Sequence, residues 1–423
     1  MRWRLSCIPL VLGLLLPRPG AAFPQTARQL ADDAYGALRH GQRARAAALL
    51  EQALDRVRRP DLEARLARDL GYLLEALGRH RDAAGAFARA ARIAPDAPTF
   101  RALGYAALAA GDTGRAIDAF EAARVCDPDD PTTLRQLGYL YQRIGARRRA
   151  AAAFRAAMRT ADAAGEANPE RRLLLRREVR ALGKRIDGGL ALLWRRDGPS
   201  NAPLTVGGRV LSQSQGLAGI DGRLPWPRLG AGRWLAGSGR LLWALDGDRP
   251  TPRAESLQAG IGLKFKPFAH ETLILGVERL IAVGALARDD WLLRASWSRG
   301  AGLEAPPGHR SWLFWSLYGD VALIDPGDPD LQLSGAGRLG WGRQFGPFVL
   351  LPHLQLSTLI VDDSGGTTSL VEGGPALEVV LPFGGDRFRA APHALALVLA
   401  YRARIAGTSR NRSGATLSLA LRF

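Results

Sequence analysis

Gly414-Ala-Thr-Leu-Ser-Leu-Ala-Leu-Arg-Phe423, the last ten residues, set the grammar for the second half of the chain. Leu417, Leu419, Leu421 and Phe423 fall on one face of an extended segment, and Thr416, Ser418, Ala420 and Arg422 fall on the other. Period-two alternation with one apolar face marks a half-covered strand. An apolar outer face, a polar inner face and a closing aromatic residue are the pattern of a strand in an outer-membrane barrel.

The pattern continues upstream. Leu257, Ala259, Ile261, Leu263 and Phe265 alternate with Gln258, Gly260, Gly262, Lys264 and Lys266. Trp291, Leu293, Ala295 and Trp297 alternate with Leu292, Arg294, Ser296 and Ser298, and Leu395, Leu397, Leu399 and Tyr401 behave alike. Turn clusters such as Pro306-Pro307-Gly308 and Asp325-Pro326-Gly327-Asp328-Pro329 separate these segments. About 12 strands fit between Leu190 and Phe423, an even number as closed bacterial barrels require. No helical segment in this half offers a cover for the apolar face, so lipid is its expected partner; a soluble sandwich is the competing arrangement. With every apolar face outward, the expected lumen residues are Lys264, Lys266, Arg294, Arg338, Arg402 and Arg404, with Arg240, Arg422, Glu278, Asp320 and Glu378 also pointing in. A basic lumen would favour an anionic polymer such as a polysaccharide. The same charges could instead pair across the interior and plug it, and the alternation does not separate these outcomes.

The first half has another grammar. Leu70-Gly71, Leu103-Gly104 and Leu137-Gly138 are followed in register by Gly78, Gly111 and Gly145, by Phe87, Phe120 and Phe154, and by Ala90, Ala123 and Ala157. A weaker unit carries Gly41, Ala46, Leu50 and Ala53. The period resembles the tetratricopeptide repeat, which implies about four helix pairs between residues 23 and 187. Asn168-Pro169-Glu170 opens a further, Arg-rich helix expected to run to about Ile186 as the cap of the array. Such arrays bind a protein segment or polymer in a groove, so Arg68, Tyr72, Arg101, Tyr105, Arg135 and Tyr139 are the groove candidates. The tyrosines are equally placed to pack between helices. Asp187-Gly188-Gly189 reads as the boundary with a barrel domain over 188–423.

The N-terminus reads as an export signal, with Arg2 and Arg4, an apolar run from Leu5 to Leu16, and Gly20-Ala21-Ala22 before an expected cut. That run is too short to span a bilayer. Cys7 would leave with it, so Cys126, expected as a small buried residue at a helix end, would remain alone without a disulfide or cysteine metal site. The net charge of +18 comes from arginine spread along the chain, which argues against a nucleic-acid partner and for anionic polymers or headgroups.

No motif in the chain carries recognisable chemistry. Gly335-Ala-Gly-Arg-Leu-Gly340 matches a dinucleotide fingerprint but lacks the following helix and acidic residue, so it reads as strand glycines. The six histidines lack metal-ligand spacing. No catalytic residues, metal or cofactor are expected.

Several blocks in the second half resemble the C-terminal domain of the outer-membrane phage-adsorption protein A (NfrA-type) family. They are Gln213 to Gly219, Gly260 to Phe268, Leu275 to Leu280, Asp289 to Ser298 (DDWLLRASWS), Ser311 to Ala322 (SWLFWSLYGDVA), Gly337 to Phe345 and Leu397 to Ile405. The resemblance covers roughly 207–423. It implies an exported protein with periplasmic repeats ahead of an outer-membrane barrel, in a family associated with exopolysaccharide export and including a phage receptor. The expected function is therefore assistance in exopolysaccharide export across the outer membrane. The alternative is a non-conducting anchor whose repeats scaffold other envelope proteins.

Overall fold

The computed structural model describes residues 25–166, 168–195, 214–227, 229, 232–246, 250–409 and 412–423. The expected export signal therefore lies outside the described residues. The chain divides into two compact units, Met1–Pro128 and Asp129–Phe423. No described helix is long and apolar enough to cross a membrane, which leaves crossing by strands open.

The first unit holds three helix pairs: α1 (Ala27–Arg39) with α2 (Arg43–Arg56), α3 (Pro60–Ala76) with α4 (His80–Ile93), and α5 (Ala97–Ala109) with α6 (Thr113–Cys126). Local chemistry sets their ends. Thr26 forms a capping box with Gln29, Asp96 and Asp112 each accept from the backbone N–H three residues on, and Pro60 occupies a first-turn position. Gly41, Gly78 and Gly111 turn each pair at φ +74°, +74° and +83°, a region hostile to residues with a Cβ. The repeated Gly and Phe answer each other across the second and third pairs. A Cβ on Gly71 or Gly104 would lie 2.6 Å from the ring of Phe87 or Phe120, so the missing side chain is the seat of the ring. Both rings are fully buried. Arg89 of α4 ties the pairs together, reaching Glu63 of α3 at 2.7 Å and the Leu54 carbonyl of α2 at 2.9 Å.

The second unit opens with one more such pair, α7 (Pro131–Arg143) and α8 (Arg147–Ala163), in which a Cβ on Gly138 would meet Phe154 at 2.4 Å. Helix α9 (Pro169–Gly183), capped by Asn168, packs on α8 through buried Leu175 and Val179. It ends at Gly183, earlier than expected, because the next strand already begins at Ile186.

That strand is the first of twelve, which form a closed antiparallel barrel. They are β1 (Ile186–Arg195), β2 (Gln215–Arg223), β3 (Trp234–Ala244), β4 (Gln258–Lys266), β5 (Ile274–Ala282), β6 (Asp290–Ala301), β7 (Ser311–Ile324), β8 (Asp330–Phe345), β9 (Phe348–Asp363), β10 (Gly366–Phe383), β11 (His393–Ala406) and β12 (Gly414–Arg422). Closure is made by β12, which pairs with β11 on one side and with β1 on the other, from Gly189↔Arg422 to Arg195↔Thr416. Because all strands are paired, no sheet edge is left open. We call the end that carries the start of β1 and Phe423 proximal, and the opposite end distal.

The change from helices to strands falls between Gly183 and Ile186, so Asp187-Gly188-Gly189 already belong to β1. Its glycine makes room for the C-terminal aromatic ring, since a Cβ on Gly188 would stand 2.4 Å from Phe423. Cys126 is exposed rather than buried, because it is the last residue of α6 and the loop residues Asp127 to Asp129 after it are also exposed.

Candidate functional site

The two faces of the barrel strands differ as the alternation requires. Leu313, Leu317 and Val321 of β7 are exposed outward, while Trp312, Phe314, Ser316 and Asp320 are buried within. The exposed outward residues of the other strands include Ile261, Leu263, Leu339, Leu354, Leu356 and Leu399. Aromatic residues of outward register stand toward both ends of this band: Trp194, Trp243 and Trp291 at the distal end, and Phe265, Trp297, Trp315, Trp341, Phe345, Phe383 and Phe423 at the proximal end. Two aromatic girdles thus flank an apolar band, a pattern that transmembrane barrels carry.

Inside, cations and anions meet. Arg195 of β1 reaches Glu372 of β10 at 2.7 Å, and each side chain is only 2% exposed. Arg402 approaches the other oxygen of Glu372 at 3.8 Å. Arg240 pairs with Glu278 at 2.5 Å and Arg294 with Asp320 at 2.6 Å. Asp320 also accepts from Ser296 at 2.6 Å, and Arg294 donates to the Tyr318 hydroxyl at 3.1 Å. Arg338 joins Glu378 at 2.9 Å and donates to Ser316 at 3.0 Å, while Arg422 lies 3.8 Å from Glu378. Lys264 pairs with Asp221 at 2.7 Å. Apolar clusters accompany these pairs: Leu280, Leu292, Ala322 and Ile324 toward the distal end, and Trp312, Phe314 and Leu351 toward the proximal end. His353 faces inward, edge-on to Phe314 at 5.7 Å between ring centroids.

Of the six lumen residues expected, Lys264, Arg294, Arg338 and Arg402 are thus held by carboxylates. Lys266 is spent on the backbone carbonyls of Gly232, Phe268 and Ala269, at 2.6 to 3.0 Å. Arg404 stands exposed near the distal end of β11 and donates to the Gly407 carbonyl, so it does not share the environment of Arg402. Arg195, Asp221 and Glu372 join the interior although the alternation of the sequence does not single them out. The inward parity of β1, β2 and β10 is their signal in the sequence, but the alternation of these strands is weak.

Twelve strands enclose more space than eight, whose interior side chains just fill. Here long Arg–Glu pairs and aromatic rings occupy it. A buried ion pair contributes little net stability, yet removing one partner leaves a charge that nothing solvates. The interior is therefore built to stay paired.

The proximal loops also carry a set of contacts within the second unit. Glu304, between β6 and β7, receives Arg177 at 3.0 Å and Arg180 at 2.6 Å from α9. The Ala390 N–H, between β10 and β11, donates to the Arg176 carbonyl at 3.0 Å, and Arg387 bonds Asp162 of α8 at 2.8 Å. The arginine-rich face of α9, expected to be an outer cap surface, is in part the face that docks on these loops.

The groove candidates divide. In the first unit Arg68 is tied to Asp96 at 2.8 Å, and Tyr72 and Tyr105 stand edge-on to Phe87 and Phe120, with ring centroids 5.0 and 5.1 Å apart. In the second, Tyr139 packs edge-on to Phe154, and Arg135 lines a small cavity with Met158, Arg171, Arg172 and Leu175. Tyr72 and Tyr139 remain 49% and 40% exposed, so each tyrosine both packs and presents a surface. Burial, with help from Glu178, raises the Tyr139 hydroxyl above the usual range.

Residues 248–417 match the family described as Bacteriophage N adsorption protein A C-term. Over 331 residues, 72% of this chain, the sequence is 25% identical to the Bacteriophage adsorption protein A of Escherichia coli (strain K12). The chain spans about a third of that relative's length, 32%. Solved structures similar in the helical region include MamA from Desulfovibrio magneticus RS-1, 21% identical, covering 32% of this chain and 76% of that one with a TM-score of 0.28. A tetratricopeptide repeat protein from Parabacteroides merdae is 18% identical, covering 38% and 59% with a TM-score of 0.32. YrrB, described as a TPR protein with an unusual peptide-binding site, is 16% identical, covering 37% and 75% with a TM-score of 0.31.

Proposed function

We propose that this chain is an outer-membrane anchor, a barrel that carries no solute and bears helical repeats which bind another envelope protein. The observation that carries the closed state is the pairing of Arg195 with Glu372 inside the barrel, with both side chains removed from solvent. The apolar clusters toward the two ends support it. The outward apolar band and aromatic girdles support the membrane as its site, and the similarity of residues 248–417 to a phage-adsorption protein domain supports the outer membrane in particular. Exposed Tyr72 and Tyr139 support a protein-binding role for the repeats. Purified protein, folded by the criterion of faster gel migration unboiled than boiled, should give no channels in planar bilayers. Steady anion-selective conductance would overturn the closed reading and return the lumen to the role of a polymer path.

Assistance in exopolysaccharide export rests on the family resemblance. If it holds, the polymer passes alongside this barrel rather than through it. Loss of polymer secretion on deletion, rescued by a chain with the interior ion pairs intact, is the outcome expected of a scaffold.

A further inference from the structure

Three arginines at one end of the barrel differ from those inside it. Arg299 on β6, Arg310 just ahead of β7 and Arg343 on β8 are exposed, and none forms an ion pair among the described residues. Register gives the direction of two of them. Arg299 shares the outward face of β6 with Trp291 and Leu293, and Arg343 shares that of β8 with Leu339 and Trp341. Arg343 is opposite Ser311, and the Gln344 N–H donates to the Arg310 carbonyl at 2.9 Å, which sets Arg310 beside the proximal end of β8, while Arg299 is opposite Leu317 of β7. On the same outward face stand Trp297, Trp315 and Trp341 of the proximal girdle, Trp341 being 63% exposed. Nearby Glu271 accepts from the Trp297 indole N–H at 3.5 Å and makes no ion pair with Arg299.

Inside the barrel Arg195, Arg240, Arg294 and Arg338 each have a carboxylate, so leaving outward Arg299 and Arg343 and exposed Arg310 without one is a contrast within a single domain. An arginine at the rim of an apolar band keeps its stem against apolar surface and needs an anion at the headgroup level. A guanidinium fork matches a phosphate group in shape and charge. We propose that the proximal face of β6, β7 and β8 binds the phosphate groups of anionic glycerophospholipid, with Trp297, Trp315 and Trp341 against the upper acyl chains. This rests on the barrel lying in a membrane, and it adds which lipid its proximal rim selects.

The test uses the full chain in nanodiscs of mixed phosphatidylcholine and phosphatidylglycerol, with retained lipid counted by native mass spectrometry. Phosphatidylglycerol should be enriched on the wild-type protein. Arg299→Gln, Arg310→Gln and Arg343→Gln together should reduce that enrichment by roughly fivefold per arginine, and Arg92→Gln, on exposed helix surface, should leave it alone. Inorganic phosphate at millimolar concentration should not displace the lipid; displacement would assign the site to a soluble anion. Equal retention of both lipids by inserted wild type, or unchanged enrichment on the folded triple variant, would overturn the proposal. Gel mobility of boiled and unboiled protein from pure phosphatidylcholine membranes separates the two readings. Failure of the wild type to insert there would remove the membrane reading and this one with it, whereas insertion without lipid preference would remove this one alone.

Discussion

Gly104 and Phe120 act as one residue divided between two helices. The ring occupies the space that a side chain on Gly104 would take, and neither is replaceable by itself. Gly104→Ala overpacks the pair and should cost about 1–3 kcal/mol. Phe120→Ala empties it and should cost about 3–5 kcal/mol. Urea melts of the helical circular-dichroism signal measure both, and an unchanged midpoint for either variant would refute the packing. A proton sits at the same scale. Burial, then the bond donated to Asp69 at 2.5 Å, pushes the Tyr35 hydroxyl up to about 12. The folded state therefore favours neutral tyrosine. That stabilisation should be full below pH 10 and fade as pH rises through about 12. Tyr35→Phe should flatten the loss between these limits when stability is followed against pH.

Strand β12 shows at the level of elements what the terminal residues do. Leu417, Leu419, Leu421 and Phe423 face outward, the strand pairs on both sides, and the Phe423 and Gly188 backbones exchange two hydrogen bonds of 2.9 Å. Removing Phe423, or introducing Gly188→Leu to block its ring, should lower the yield of the heat-modifiable form seen on gels. Leu421→Asp should do the same by placing a charge in the apolar band. Normal yields from all three would show that closure does not depend on this seam. Helix α9 depends on its loops in a comparable way. Glu304→Arg should repel Arg177 and Arg180 and speed amide exchange along α9, and adding Arg177→Glu and Arg180→Glu should restore protection. Exchange that ignores the first change would mean that Glu304 does not hold the helix.

For the molecule as a whole, the interior charges decide between a passage and an anchor. Glu372 serves Arg195 and Arg402 together. Glu372→Ala would leave both cations buried without a carboxylate and should cost about 3–5 kcal/mol, read as a lower temperature for conversion to the slow gel form. Arg402→Glu with Arg404→Glu should produce no change in ion selectivity, because no current is expected to carry it. A measurable reversal potential in the wild type would contradict this directly.

Periodicity is local, and so the repeat Gly–Phe spacing, the alternation of Leu257 to Lys266 and of Thr416 to Phe423, and the even count near twelve strands were all legible in the sequence. The same parity placed Arg294, Arg338 and Arg402 inward. Parity says which face a side chain takes, but not what stands across from it. The partnership of Arg195 with Glu372 joins β1 to β10 and depends on the closure and stagger of the whole barrel, to which every strand contributes. For the same reason Asp187-Gly188-Gly189 looked like a joint until Phe423, 235 positions beyond Gly188 and next to it only after closure, supplied the ring that the glycine receives. Local periodicity accounts for the two kinds of architecture and for the outward and inward faces of the strands. That the inward charges neutralise one another emerges only on closure of the barrel, because an ion pair is a matter of distance and these partners are far apart along the chain.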